Sequence, residues 1–389
     1  MSTRIKAQFD FLLEADKLRG IERQNLILDC SRQENSAEHS WHLALYALVL
    51  APFAKPGTDI DRVIQMLLLH DLVEIDAGDH PIGEEHDWEA VAQAETAAAK
   101  RLFGLLPDDQ AQALHAIWAE FEAGESQEAR FAKQLDHCQP IFQTLCANAP
   151  IAEHIDVVRG NLFCGRAMRL KESFPQAYQH ACHLLQEPSE PETSTFSRHL
   201  RFLNEADQLK TIQRATMLGD GSRRENSAEH SWHIMLYAWV LGEYSEFDIQ
   251  IGRVLRMLLL HDLVEIDAGD CPIHGHIDAD AQAAIEAREQ AAAERLFGLL
   301  PEGQAEEFMT LWQEFEAAQS ADAIFAKSID RVQPVLLNLL NGGGSWLEYN
   351  VSFQQLEDRV GQKVRRGAAQ VWHHVLEEVT PWFAQQGRI

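Results

Sequence analysis

The sequence predicts an all-α protein built as two tandem helical bundles in one chain. Three observations carry this: a long internal repeat, apolar residues at helical spacing nearly throughout, and a scarcity of alternating strand-like runs and hairpin dipeptides. The stretch Arg32-Gln-Glu-Asn-Ser-Ala-Glu-His-Ser-Trp-His42 returns as Arg223-Arg-Glu-Asn-Ser-Ala-Glu-His-Ser-Trp-His233. Met66 to Asp79 returns unchanged as Met257 to Asp270, at the same offset of 191 residues (230 − 39 = 261 − 70). Phe131-Ala-Lys-Gln-Leu-Asp136 matches Phe325-Ala-Lys-Ser-Ile-Asp330 at an offset of 194 (330 − 136), so the second copy carries three extra residues between Asp270 and Arg295. Insertions of that size belong to loops. A unit this long, present only twice, is a duplicated domain rather than a solenoid module.

The expected boundaries are 1–186 for the first copy, 187–195 for a linker and 196–389 for the second. The linker follows from Gln186-Glu-Pro-Ser-Glu-Pro-Glu-Thr-Ser-Thr195, whose prolines and small polar residues neither sustain a helix nor bury a face. Within a copy, Ser36 is an expected N-cap with Glu38 in the first turn, which places His39 on a rigid helix start. The spacing of Ala90 to Leu106 and of Leu114 to Phe121 is helical. Leu67, Leu68 and Leu69 precede His70 in a helix apolar on several sides, the mark of a segment at the centre of a bundle.

Composition narrows the function. At 389 residues the chain is long enough for two or three domains, and 46% apolar with 24% charged residues is ordinary for a folded globular protein. Lys and Arg total 33 against 60 Asp and Glu, a formal charge of −27 that repels a polyanion and disfavours a nucleic acid polymer as partner. A small phosphorylated substrate stays allowed, because a bound metal reverses the local field. Cys30, Cys138, Cys146, Cys164 and Cys182 lie in the first half, Cys271 alone in the second, and there is no CxxC pair. That usage argues against a disulfide framework and a cysteine zinc site. Neither a signal-peptide core near Met1 to Asp10 nor a membrane-length apolar run is present, so no membrane partner and a cytoplasmic location are expected.

The chemistry concentrates in the repeats. His70 and Asp71 sit side by side at the end of the central apolar helix, where adjacent polar groups are costly to bury unless something binds them. Glu74 follows four residues later, and Gly78-Asp79 marks the helix exit and returns another carboxylate. Outside the motifs the copies diverge, as in Ala51-Pro-Phe-Ala-Lys-Pro-Gly against Gly242-Glu-Tyr-Ser-Glu-Phe-Asp. They agree at His39/His230, His70/His261, Asp71/Asp262, Glu74/Glu265, Asp79/Asp270 and Asp136/Asp330. A plain core keeps apolar volume while polar identities drift, so the agreement points to a metal site in each half.

The order His … His-Asp … Asp, with Glu-His-Ser-Trp opening one helix and His-Asp-x-x-Glu-x-x-x-Gly-Asp closing another, resembles the HD-domain metal-dependent phosphohydrolases. The likeness is closest to the 5′-deoxynucleotidase branch and covers about Phe11 to Cys182 and Phe202 to Val375. The resemblance implies metal ligation by His39, His70, Asp71 and Asp136, and by His230, His261, Asp262 and Asp330. It implies that Glu74, Asp79, Glu265 and Asp270 act on water and leaving group, and that Arg23 and Arg214 contact phosphate. Arg32 and Arg223 recur as well and are further candidates for the phosphate, with a bracing ion pair to Glu34 or Glu225 as the other reading. Directly after the first arginine that branch has an aromatic residue, whereas this chain has Gln24 and Ala215.

Two imidazoles and two carboxylates suit Mn²⁺, Co²⁺, Fe²⁺, Ni²⁺ or Zn²⁺, one ion per half, and no thiolate selects among them. Such an ion acidifies water and takes up charge from a phosphoryl oxygen. The expected activity is hydrolysis of small phosphomonoesters, foremost nucleoside 5′-monophosphates, at one site per half, with the fused halves mimicking a dimer. The alternatives are oxidation at a di-iron centre and a nucleotide-binding regulatory module without turnover. Other recurring residues have plainer readings: His42 and His233 as hydrogen-bonded core groups, Trp41 and Trp232 as core anchors. Lys133 and Lys327 fit either a phosphate contact or a salt bridge. His80, His86, His274 and His276 fall where the copies differ and read as solvated, or as ligands of a second metal.

Overall fold

The structure is a computed structural model that describes residues 3–80, 86–186, 193–270 and 279–389. The first half opens with helix Thr3–Ala15, a 3-10 turn Asp16–Gly20 and an antiparallel hairpin of Glu22–Leu26 with Gln33–Asn35. Helices Ser36–Val49, Ile60–Leu69, Glu74–Ala77, Trp88–Phe103, Asp108–Ala123 and Gln127–Leu145 follow, and Ala152–Cys164 and Pro175–Leu184 complete the bundle. The second half repeats the order from Thr195–Ala206 and the hairpin Gln213–Met217 with Arg224–Asn226 to Ser227–Leu241, Ile251–Leu260, Glu265–Ala268, Ala279–Phe297 and Glu302–Ala317. Gln127–Leu145 is continuous, whereas its counterpart breaks at Arg331 into Ala321–Asp330 and Val332–Leu340, and the chain closes on Gln362–Gln385.

The all-α expectation holds apart from the two hairpins. Their strands show no apolar alternation because the side chains they bury at the junction are polar, Glu34 and Asn35 or Glu225 and Asn226, and their turns carry the signal instead. Cys30 and Gly221, one offset apart, both adopt positive φ (64° and 72°). The Asp29 and Asp220 carboxylates accept from the amides of Ser31 and Ser222 at 2.8 and 2.9 Å, which fixes the reversal. Six residues of the expected linker, 187–192, lie outside the described residues, as do His274 and His276, and Thr195 already opens a helix.

Every residue of Ser36–Val49 is buried, on all sides, because this helix packs against Ile60–Leu69 of its own half and against Ser227–Leu241 of the other. One apolar core therefore runs through both halves. The N-terminal helices cross over it: Thr3–Ala15 packs on Ser227–Leu241, and Thr195–Ala206 on Ser36–Val49. Trp41 and Trp232 are core anchors as expected, and Trp232 Nε1 donates to the Leu68 carbonyl of the other half at 3.2 Å.

Charged groups are buried at this junction in two matching clusters. Lys210 Nζ donates to Glu34 Oε1 (2.7 Å), to His42 Nδ1 (3.0 Å) and to Asp207. At the equivalent place Arg19 donates to Glu225 Oε2 (2.7 Å) and pairs with Asp16. Glu34, His42 and Asp207 have the spacing of a metal site, but the ammonium of Lys210 already occupies the centre of that cluster. His42 and His233 donate from Nε2 to the Leu203 and Leu12 carbonyls across the junction. Burial, and then the Lys210 charge, push the His42 pKa down to about 3.

In the unfolded chain an imidazole titrates near 6.5, so below that pH the unfolded state binds a proton that folded His42 refuses. Its presence thus costs stability as pH falls, by about 1.4 kcal/mol per pH unit. Comparing urea unfolding of His42→Gln with the parent chain between pH 6 and 4 reads this directly: the variant gains relative stability at about that slope. A pH-independent difference contradicts a neutral buried His42.

Candidate metal centres

The local sequence fixes the first ligand by a helix start. The N-cap is Asn35, not Ser36: its side chain accepts from the amides of Ala37 and Glu38, and Glu38 reaches back to the Asn35 amide at 2.9 Å. A capping box needs Glu three residues after the cap, a spacing that Asn35 meets and Ser36 does not. Ser36, the first helical residue, instead donates from Oγ to Glu74 Oε2 at 2.5 Å, as Ser227 does to Glu265. Ile60–Leu69 ends at Leu69, His70 caps it, and Asp71 to Val73 form a turn before the short helix Glu74–Ala77. Gly78 and Gly269, at φ 79° and 77°, send the chain back so that Asp79 and Asp270 face the same space.

His39, His70 and Asp136 bring one ligand atom each to within 4.8 Å of the others, and so do His230, His261 and Asp330. His39 Nε2 lies 3.3 Å from Asp136 Oδ1, and His230 Nε2 3.0 Å from Asp330 Oδ1. The fourth expected ligand stands alongside: Asp71 Oδ1 is 3.0 Å from His70 Nε2, and Asp262 Oδ1 is 2.9 Å from His261 Nε2. The other oxygen of each accepts from an arginine, Arg23 at 2.9 Å and Arg214 at 2.6 Å. Nδ1 of His70 and of His261 is held by the carbonyl of Leu67 or Leu258, while Nε2 of both is buried with no hydrogen-bond partner. Two buried imidazole nitrogens, each without an aligned hydrogen bond and each beside clustered carboxylates, fit a divalent cation.

The electrostatics agree in both halves. Burial opposes a charge on His39, and so does Arg23, but hydrogen bonds with Asp136 and Glu34 prevail and set its pKa at about 9; His230 matches it. Burial would raise Asp136 and Asp330, yet their histidine partners hold both far below the usual carboxylate range. Glu74 and Glu265 go the other way: burial, and then the adjacent Asp71 or Asp262 charge, lift them well above it. Asp79 and Asp270 are raised for the same first reason, burial.

Arg23 Nη1 is also 3.7 Å from Glu74 and 3.8 Å from Asp79, so it stands at the mouth of the centre. Arg32 and Arg223 do not. Arg32 forks onto Glu38 (2.5 and 2.9 Å) and onto the Lys210 carbonyl (2.7 Å), and Arg223 takes the matching place on Glu229 and the Arg19 carbonyl. The expected phosphate role is thereby replaced by a bracing role at the junction, with Glu38 and Glu229 as partners rather than Glu34 and Glu225. Lys133 and Lys327 pair with Glu122 (3.8 Å) and Glu316 (2.9 Å) rather than with the clustered carboxylates, while lying over the rings of Phe121 and Phe315. His80 packs against His86, their ring centroids 5.1 Å apart.

Sequence reasoning missed the groups behind the ligands. Gln139 Oε1 faces His39 Nδ1 at 3.1 Å, and Gln333 Oε1 faces His230 Nδ1 at 3.2 Å. Glu34 and Glu225 stand behind them. The signal was present, since Gln139/Gln333 and Glu34/Glu225 recur at the two repeat offsets.

The cavities in front of the centres differ. The first holds about 160 Å³ between Arg23, Asp79 and Asp136 and a wall of His154, Val157 and Asn161. The second holds about 790 Å³, and its far wall carries Arg331, Arg359 and Lys363.

A sequence profile described as HD domain matches residues 15–178 and again 206–372. Human 5′-deoxynucleotidase HDDC2 is 30% identical over 139 residues, 36% of this chain and 67% of its own length. The mouse protein of that name is 31% identical over 134 residues (34% and 66%), and a 5′-deoxynucleotidase of Pasteurella multocida 34% over 129 (31% and 65%). The chain thus spans about two thirds of the length of these relatives. A crystal structure of a protein described as a predicted metal-dependent phosphohydrolase, from Magnetospirillum magnetotacticum MS-1, is 45% identical, covering 50% of this chain and 96% of that one, with a TM-score of 0.47. Because the two matched stretches enclose the two ligand sets, the chain belongs to the HD domain family and carries that domain twice.

Proposed function

We propose that the chain is a metal-dependent phosphohydrolase of nucleoside 5′-monophosphates with one working centre in each half. The observation that carries this reading is the twofold recurrence of a His-His-Asp donor set with an arginine at its mouth and two raised carboxyls beside it. His39, His70, Asp71 and Asp136, and their counterparts His230, His261, Asp262 and Asp330, would hold a divalent cation. When bound, that ion supplies charge for a phosphoryl oxygen and acidity for water. Arg23 and Arg214 present a guanidinium fork to the phosphate. Glu74 and Glu265, lifted well above the usual carboxylate range by burial and the adjacent aspartate, are fixed by Ser36 and Ser227 to orient the attacking water and accept its proton. Asp79 and Asp270, raised as well, return a proton to the departing alkoxide.

The 5′-deoxynucleotidase names of the relatives support the substrate class. Gln24 and Ala215, where that branch has an aromatic residue, argue for a loose choice of sugar. Phosphate release from nucleoside 5′-monophosphates, screened with Mn²⁺, Co²⁺, Fe²⁺, Ni²⁺ and Zn²⁺, tests the reading; binding without release under every ion overturns it in favour of a regulatory module. Two iron ions per half would point instead to oxidation. Among the described residues, the third ligand-like cluster is filled by Lys210, which speaks against that second ion.

The unequal cavities lead to a prediction. With the second centre silenced by His261→Ala, turnover favours monophosphates, because the first cavity is the smaller. With His70→Ala, the larger second cavity, whose lining includes Arg331, Arg359 and Lys363 besides Arg214 and Lys327, favours a nucleoside 3′,5′-bisphosphate, with kcat/KM relative to the monophosphate at least about tenfold higher than in the first half, as one charge-assisted phosphate contact would give. Equal ratios in the two variants contradict it.

A further inference from the structure

We propose that each centre is positioned by a cation from the opposite half: Lys210 sets His39, and Arg19 sets His230, in each case through a buried glutamate and a glutamine. The inference rests on the reading of these centres as divalent-ion sites. His39 Nδ1 faces two acceptors, Gln139 Oε1 at 3.1 Å and Glu34 Oε2 at 3.6 Å. Nδ1 therefore carries a proton with or without a cation, and Nε2, beside Asp136, is the nitrogen left to a ligand position once its own proton leaves. The Gln139 amide is oriented by its other end, where Nε2 donates to Gln143 Oε1 at 3.0 Å and to Glu34 Oε1 at 3.2 Å and so turns the oxygen to His39. Glu34 in turn is buried completely, and the cation hydrogen-bonded to it is Lys210 Nζ, 2.7 Å away and equally buried.

The second centre repeats the relay with the halves exchanged. Arg19 Nη1 donates to Glu225 Oε2 at 2.7 Å, and Gln333 Nε2 donates to the same oxygen at 2.8 Å. Gln333 Oε1 and Glu225 Oε1 face His230 Nδ1 at 3.2 and 3.4 Å. Arg214 Nε, at 3.8 Å from Glu225 Oε1, is outside hydrogen-bond reach. Arg19 and Lys210 are one repeat offset apart (210 − 19 = 191), so the same position in each copy serves the other copy's histidine. Without the opposite cation, a buried carboxylate loses its counter-charge and is no longer held in place against the glutamine and the imidazole.

The test is a Mn²⁺ titration of the full-length chain in two backgrounds, His230→Ala/Asp330→Ala leaving the first centre and His39→Ala/Asp136→Ala leaving the second. Lys210→Met lowers Mn²⁺ affinity at the first centre by about tenfold to a hundredfold, the usual cost of losing a group behind a ligand, and leaves the second within about twofold. Arg19→Met does the reverse, and Lys210→Arg, copying the other half, restores the first centre. Equal loss at both centres, or none at the first, overturns the proposal.

Should Lys210→Met not fold, Glu34→Gln and Glu34→Gln/Lys210→Met decide it. Equal Mn²⁺ affinities support a relay through Glu34, and a further tenfold fall in the double variant refutes one. A parent chain that binds no Mn²⁺, Co²⁺ or Zn²⁺ overturns the metal reading itself, and the relay with it.

Discussion

Asp71→Asn lowers turnover at the first centre by at least about a thousandfold while the second continues at its own rate; Asp262→Asn does the opposite, and the double variant has no turnover. A thousandfold loss is about 4 kcal/mol of transition-state stabilisation, within what a bound divalent ion supplies. Each aspartate holds two positions at once. Asp71 Oδ1 lies 3.0 Å from His70 Nε2, and Oδ2 accepts from Arg23 at 2.9 Å. An amide of the same shape donates where a cation needs an acceptor, and it releases Arg23 from its ion pair. Phosphate release and metal content, measured on the same samples, check the result: each single variant keeps one ion per chain. Loss of all turnover from either single substitution rules out two independent centres.

Arg32→Met and Arg223→Met act on stability instead. Glu38 and Glu229 are buried where the starts of the two central helices meet, and each accepts from the capping asparagine of the other half at 2.6 Å. Burial raises the Glu38 pKa, and the nearby Glu229 charge adds to this against the Arg32 ion pair. Removing one arginine leaves two buried carboxylates to repel each other. A fully buried pair broken in this way costs about 3–5 kcal/mol, and since these arginines are over a third exposed on their outer side, about 2 kcal/mol is expected for each. The urea midpoint falls accordingly, while KM for a monophosphate stays within about twofold. A raised KM with unchanged stability would return Arg32 to the phosphate.

The duplication made the fold and the clustered histidines and carboxylates legible. Long identical stretches in otherwise diverged copies mark residues that chemistry fixes, and they pointed to the histidines and carboxylates that meet here. Local details were partly legible. Asn35 and Ser36 are both good caps, and Glu38 three residues after Asn35 settles the choice. The hairpin strands were hidden because neither presents an apolar face. What one chain cannot display is contact between halves. Arg32 looked like a phosphate ligand because it recurs, but its partners include the carbonyl of Lys210, 178 residues away. Lys210 and Arg19 escaped notice because the position keeps its charge and not its residue type.

Crossed hydrogen bonding at the junction also bears on dilution. In an assembly of two separate chains, the groups behind each histidine would arrive only when the partner is bound, so the integrity of the centres would fall as protein becomes scarce. Joined covalently, the halves meet at an effective concentration set by their tether rather than by the number of molecules in solution. A single molecule, however sparse, carries both clusters together with the groups behind them.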